Sequence, residues 1–223
     1  MFGRKELYFL SNVLTILYEE GFIFMDLKDV FRNRRSVRAF KDAEVPEDII
    51  EELIENAGLA PETDTCNYYF GIIRDKETKK QLGEATHWAN WISEAPVVIA
   101  CCGSIAWDIG EQDDDDYGVI GNKLRYGEEI VEFLRNNNNR KASKALLMSS
   151  PVYIPAHHII LTAVANGLKG CLVDFMDMDK VDEILGLPEE VTCQVLVPIG
   201  YPNEEPKARE PFDMKKKVFK DRW

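Results

Sequence analysis

Histidine is scarce in this chain: His87, His157 and His158 are the three among 223 residues. The last two are sequence neighbours and leave one helix in different directions, so no histidine-based metal site is expected. Five cysteines, Cys66, Cys101, Cys102, Cys171 and Cys193, form no Cys-x-x-Cys pair. Two of them sit inside an apolar run, the pattern of reduced core thiols in a cytoplasmic protein. No Gly-x-Gly-x-x-Gly follows a strand-like segment, which removes a Rossmann-type dinucleotide site. Positive charge is in deficit, with 27 Lys and Arg against 39 Asp and Glu and a net charge of -12. Such a surface repels nucleic acid and anionic membrane, so neither is an expected partner, and a phosphate-bearing ligand must be met by a local basic cluster.

Long apolar runs are missing too. The stretch from Leu7 to Tyr18 is broken by Ser11, Asn12 and Thr15. It is too short to span a bilayer and no small-residue cleavage site follows, so a signal peptide is set aside. Residues 1–24 are read as an N-terminal extension, either an extra amphipathic helix or the product of an upstream start codon with Met25 as the natural start.

What remains is 45% hydrophobic, enough for one sizeable core. Three segments read as central strands: Tyr68 to Ile73, Pro96 to Cys102 and Val191 to Ile199. Helical periodicity runs through Leu27, Val30 and Phe31, and through Ile49, Ile50, Leu53, Ile54 and Ala57, where Pro46 supplies the first turn. Further helices are expected at Lys76 to Gly83, Val119 to Leu134, Pro151 to Asn166 and Met178 to Leu185. The alternation predicts a layered α/β or α+β fold over residues 25–211, with a polar insert at 103–150 suited to a lid and a tail at 212–223. The Asp113–Asp116 run reads as a solvated loop rather than a cation site. The apolar residues of the tail are expected to pack on a partner subunit or on the body.

Arg34, Arg35, Ser36 and Arg38 put three guanidinium groups and a hydroxyl within five residues, donors whose forked geometry suits a phosphate monoester. Taken alone, the same residues serve equally well as a solvated basic loop. A second basic pair, Lys207 and Arg209, follows the turn Gly200-Tyr201-Pro202, so two distant elements are available to close on one dianion.

These residues lie in a longer pattern. Arg34-Arg35-Ser36-Val37-Arg38-Ala39-Phe40 resembles the opening motif of the nitroreductase family. Ala60-Pro61-Glu62-Thr63-Asp64-Thr65-Cys66-Asn67 is similar to its Ala-Pro-Ser loop, and Glu94-Ala95-Pro96-Val97-Val98-Ile99 to its central strand. Asn166-Gly167-Leu168-Lys169-Gly170-Cys171 matches its Gly-Leu-Gly segment. Ile184-Leu185-Gly186-Leu187-Pro188 and Pro198-Ile199-Gly200-Tyr201-Pro202 match its closing pattern. Two departures stand out: Asn67-Tyr68-Tyr69 replaces a Gln-Pro-Trp, and Leu172 replaces a bulky aromatic.

The resemblance implies a three-layer α/β sandwich of the α+β class with a central mixed sheet, dimeric, with FMN at the subunit interface. It implies that Arg34, Ser36 and Arg38, with Lys207 and Arg209, hold the phosphate and ribityl end and that Arg35 lies beside them. It places the backbone of Leu172, Val173 and Asp174 along the flavin, and Thr65 and Asn67 at the ring edge or the phosphate side, in the other subunit's site. The implied activity is hydride transfer from NADH or NADPH through FMN to a small organic acceptor by a ping-pong mechanism, with no catalytic side chain because the chemistry is the flavin's. Alternatives are a specialised flavin enzyme of the same fold (dehalogenation, flavin fragmentation, a deazaflavin donor) and a non-turnover flavin-binding or redox-sensing module. Tyr68, Tyr69, Trp88, Trp91, Phe133 and Tyr153 are read as core before they are read as an acceptor pocket, with Tyr117 and Tyr126 as lid residues.

Overall fold

The computed structural model describes residues 25–61, 67–208, 210 and 212–222. The expected extension at 1–24 lies outside the described residues, as do Thr65, Cys66 and Arg209. Four strands, β1 (Tyr68–Ile73), β2 (Val97–Ser104), β3 (Lys169–Gly170) and β4 (Val191–Gly200), form one sheet in the order β1-β2-β4-β3. All three strand pairs are antiparallel. Where a mixed sheet is expected, the strands pair antiparallel throughout, and the parallel pairing is confined to an isolated bridge between Ser36 and Gly170 of β3.

Every residue of β2 and β4 is buried. A strand covered on both faces has no polar alternation to keep, which is why β2 reads as an almost unbroken apolar run and β4 is interrupted only by Thr192 and Gln194. The helices are α1 (Leu27–Asn33), α2 (Glu47–Gly58), α3 (Lys76–Ala85), α4 (Tyr117–Tyr126), α5 (Glu128–Asn136), α6 (Arg140–Ala165), α7 (Met178–Leu185) and α8 (Met214–Lys217). One face of the sheet, with Val97, Ile99, Val195 and Val197, packs on Ile50, Leu53 and Ala57 of α2 and on Val152, Ala156 and Ile159 of α6. The other face, with Val98, Ala100 and Leu196, packs on Leu82 of α3 and Val181 of α7. The result is three layers. Each fully buried aliphatic side chain contributes roughly 1.5–3 kcal/mol, so these two clusters dominate the stability.

Between Cys101 and Cys102 the register shifts, leaving Gln194 as the extra residue of a β-bulge. Its carboxamide is buried without a hydrogen-bond partner among the described residues. Asp182 of α7 staples three elements together: Oδ1 accepts from the backbone N–H of Cys193 at 2.8 Å, and Oδ2 accepts from Thr192 Oγ1 at 2.7 Å and from Lys141 Nζ at 2.8 Å.

Several boundaries differ from expectation. Pro46 stands at the N-cap of α2 rather than inside its first turn. The helix expected from Val119 to Leu134 is two helices, separated at Gly127, whose φ of 87° is left-handed territory that glycine enters at low cost. The helix expected from Pro151 starts earlier, at Arg140, and bends by 58° between its Arg140–Leu147 and Pro151–Ala165 parts. The rings of Pro151 and Pro155 remove helical hydrogen bonds there. Within the polar insert, Ile109, Val119, Val131 and Leu134 make a small core of their own. The acidic run is spent on local structure: Asp116 caps α4, and Asp114 pairs with Lys123 at 3.0 Å and Arg135 at 2.6 Å. Among the described residues no single helix is long and apolar enough to cross a membrane.

Candidate functional site

Helix α1 ends at Asn33 and hands the chain to the basic loop, which is held by its pairing with β3. The backbone N–H of Val37 donates to Gly170 O at 3.1 Å, and the Val37 side chain is fully buried. In extended backbone the flanking side chains point the opposite way, so anchoring Val37 turns Ser36 and Arg38 outward, where both are exposed. A cavity of about 390 Å³ opens here, lined by Phe31, Arg34, Ser36, His157, Cys171 and Leu172 among others. That is within the usual size of a small-molecule site.

The three guanidiniums are not equivalent. Arg34 lines the cavity. Arg35 turns back to cap α1, its Nη1 donating to the carbonyls of Arg32 at 2.8 Å and Arg34 at 3.0 Å. Arg38 lies over the ring of Trp88, 5.7 Å from its centroid, a cation–π distance. Its charge still reaches the cavity wall: burial pushes the Cys171 thiol up, and Arg38 and a hydrogen bond with Ser36 pull it back.

The opposite wall is backbone. Cys171 N–H donates to Pro198 O at 3.3 Å, and Val173 and Leu196 exchange hydrogen bonds of 2.9 and 2.8 Å. Alternation along the chain then turns the amides of Leu172 and Asp174 away from β4, toward the sheet edge. Of the three expected backbone donors, Val173 is therefore engaged within the sheet, and Leu172 and Asp174 face outward. The Asp174 carboxylate accepts from Tyr153 Oη of α6.

After β4 the chain returns along the basic loop: Lys41 N donates to Tyr201 O and Asn203 N to Ala39 O, both at 2.9 Å. This antiparallel return is fixed as far as Glu204, and Lys207, three residues on, is exposed. Asn67 lies elsewhere. It precedes β1, on the far side of β2 and β4 from β3, so one protomer does not bring it to Arg34 and Ser36.

The core reading of the aromatics holds for Tyr68, Trp91 and Tyr153, which are partly buried against the core clusters. It fails for Tyr69, Trp88 and Phe133, which are 48%, 45% and 61% exposed; strand and helix spacing alone does not tell an inner face from an outer one. The tail's Phe212, Met214, Val218 and Phe219 are largely exposed. Sequence reasoning missed His157, whose position one turn beyond Tyr153 on α6 carries no motif. A larger cavity of about 960 Å³ between α2 and α3 is a weaker candidate. Arg74 there is paired with Glu47, and buried Lys79 donates to Ala95 O at 2.5 Å and Pro96 O at 3.4 Å.

The model of the Nitroreductase family matches residues 31–201, an interval that holds the basic loop, the cavity and the whole sheet. The chain belongs to this family. A relative from Thermus thermophilus, named NADH dehydrogenase, is 30% identical over 193 residues, covering 85% of this chain and 94% of that protein. The fold of this nitroreductase-family chain is shared with an FMN-dependent nitroreductase from Clostridium difficile (TM-score 0.62, 21% identity, 87% of this chain and 98% of that one). It is also shared with the NADPH:FMN oxidoreductase of Vibrio harveyi (TM-score 0.63, 16% identity, 88% and 77%).

Proposed function

We propose that this nitroreductase-family protein is a cytoplasmic, homodimeric FMN-dependent oxidoreductase that takes hydride from NADH or NADPH and passes it to a small organic acceptor such as a nitroaromatic or quinone, by a ping-pong mechanism. The observation that carries the reading is the cavity that Arg34, Ser36 and Leu172 line together. A charged fork and a hydroxyl at one end, with outward amides along one wall, fit a phosphate monoester attached to a flat, hydrogen-bonding ring. The names of its relatives point the same way: FMN-dependent nitroreductase, NADPH:FMN oxidoreductase.

When bound, FMN supplies reversible two-electron, hydride-accepting chemistry. The protein's part is placement and electrostatics. Arg34 and Ser36 would hold the phosphate and ribityl end, with Arg38, Lys207 and Arg209 adding positive charge. The Leu172 and Asp174 amides would orient the ring edge and stabilise negative charge there, as preorganised donors do. Phe31 and Leu172 supply the apolar part of the cavity wall. Homodimerisation is supported by Asn67 lying at the sheet's other edge and by the exposure of Leu27, Phe31 and Ile154 near the cavity; a second copy would cover these residues and return Thr65 and Asn67 to the site.

The test is an absorbance spectrum of the purified protein, then anaerobic addition of NADH and of NADPH. Flavin bands that bleach rapidly with one donor support the reading, and acceptor turnover then follows. Bands that persist with both donors favour a different donor or a non-turnover flavin module. No bands after added FMN would remove the proposal.

A further inference from the structure

Glu204 places a carboxylate inside the basic loop. Its Oε1 accepts from the backbone N–H of Arg38 at 2.5 Å and from that of Ala39 at 3.3 Å. Successive amides converging on one oxygen make a concavity suited to anions, and here the chain fills it with its own anion. The residue sits on the return that leads to Lys207, directly after the Asn203 to Ala39 hydrogen bond. Its charge is also felt at the cavity wall: beside the burial that pushes the Cys171 thiol up, Glu204 adds to the rise that Arg38 opposes.

Two effects of opposite sign follow. As an acceptor, Glu204 fastens the return to the loop and so keeps the two basic segments together. As a charge, it opposes any dianion bound among those cations. We propose that Glu204 is a positioning residue for the phosphate end of the cofactor, a clasp whose oxygen assembles the anion site and whose charge holds its affinity below what the cations alone would give. The inference rests on the FMN reading and adds to it a residue that sets how tightly the cofactor is held.

The test uses the full chain stripped of cofactor, titrated with FMN and with riboflavin, which has the same ring and no phosphate, and followed by flavin fluorescence at low and high salt. Glu204→Gln keeps an acceptor oxygen and loses the charge. It should bind FMN roughly three- to tenfold tighter than wild type at low salt, with the gain fading toward ~1 M salt as screening grows and riboflavin unchanged. Glu204→Ala also loses the charge, yet should bind FMN about tenfold more weakly because the clasp is gone. A Gln variant no tighter than wild type, or one that tightens riboflavin equally, overturns the proposal, as does an Ala variant as tight as the Gln variant. If the Ala variant does not fold by circular dichroism, the Gln comparison and its salt dependence decide alone. Failure of the underlying reading shows separately, in a wild type that binds FMN no better than riboflavin.

Discussion

Gly170 is the position where sheet and site depend on one missing methyl. Its carbonyl accepts from Val37, it pairs with Ile199 in β4, and it lines the cavity. A Cβ built there would stand 2.6 Å from the carbonyl oxygen of Pro198 and 3.0 Å from Cδ1 of Ile160. The isoleucine methyl can rotate aside. The Pro198 carbonyl belongs to a fully buried strand and cannot withdraw without breaking its ladder. Gly170→Ala must therefore push β3 off β4, a form of overpacking that costs roughly 1–3 kcal/mol. At roughly 2–4 °C per kcal/mol for a chain of this size, Tm should fall by roughly 2–12 °C. The same displacement moves Cys171 and Leu172 away from Arg34 and Ser36, and hydrogen bonds stretched past their useful range should weaken FMN by about tenfold. Thermal melts of the stripped protein and a fluorescence titration with FMN measure both. Gly121→Ala is the control: it lies inside α4 with nothing within 4 Å of an added Cβ, and helix propensity makes it neutral or stabilising by up to about 1 kcal/mol. A Gly170→Ala protein with wild-type Tm and wild-type FMN affinity would refute the reasoning.

Three further outcomes are expected. Replacing Arg34 and Arg38 together by Ala should raise the FMN dissociation constant by about 10²-fold or more, since each charged contact is worth roughly 1.5–3 kcal/mol, while the far-ultraviolet circular dichroism stays unchanged; full flavin occupancy in the double variant would contradict the phosphate assignment. Asp182→Ala should destabilise by about 2–4 kcal/mol in urea titration, because it strands the buried Cys193 amide and Thr192 hydroxyl, while Lys141 keeps its pair with Asp179; a loss under about 1 kcal/mol would mean that water replaces both. Burial pushes the Tyr153 phenol above its ordinary value of 10.0, and Asp174 adds to the rise. A phenol that ionises later in the folded state than in the unfolded one contributes stability below pH 10 that is lost as pH climbs above it. The denaturation midpoint should therefore fall above pH 10, more steeply in wild type than in Tyr153→Phe, and identical alkaline limbs would show that Tyr153 is not responsible.

The central strands were legible because both faces of β2 and β4 are covered, so Val97 to Cys102 is wholly apolar and Val191 to Ile199 is interrupted only by the buried Thr192 and Gln194. The failures have local causes. Val119 to Leu134 keeps a helical period across Gly127, and only the left-handed turn at that glycine breaks it in two. Arg140 to Leu147 is polar enough to read as loop, yet it extends α6 because Asn139 caps it and Arg140 reaches Asp108. In the site, residue type and spacing exposed the arginine loop. They did not say which guanidinium enters the cavity, because that follows from Val37 pairing with Gly170, a contact across more than 130 residues. His157 and Glu204 had no local signal for the same reason.

The two-residue length of β3 explains why the site lies where it does. A longer edge strand would satisfy its outer amides with another strand or with water and present a uniform edge. Here the outer edge is shared out. Gly170 gives its carbonyl to the basic loop, and three residues later the chain still pairs inward through Val173 while Leu172 and Asp174 turn their amides outward. One short segment thus fixes the cations on one side and offers donors on the other, at a spacing set by the pleat rather than by flexible side chains. The consequence is an open rim: Phe31, Ile154 and His157 are left exposed beside the donors, and neither the sheet nor α6 has a surface to cover them. A ligand alone would cover the donors but not the α1 and α6 flanks, whereas a second subunit would cover the flanks but not the donors. Each supplies the burial the other leaves undone, so cofactor retention and subunit association should reinforce each other by linkage.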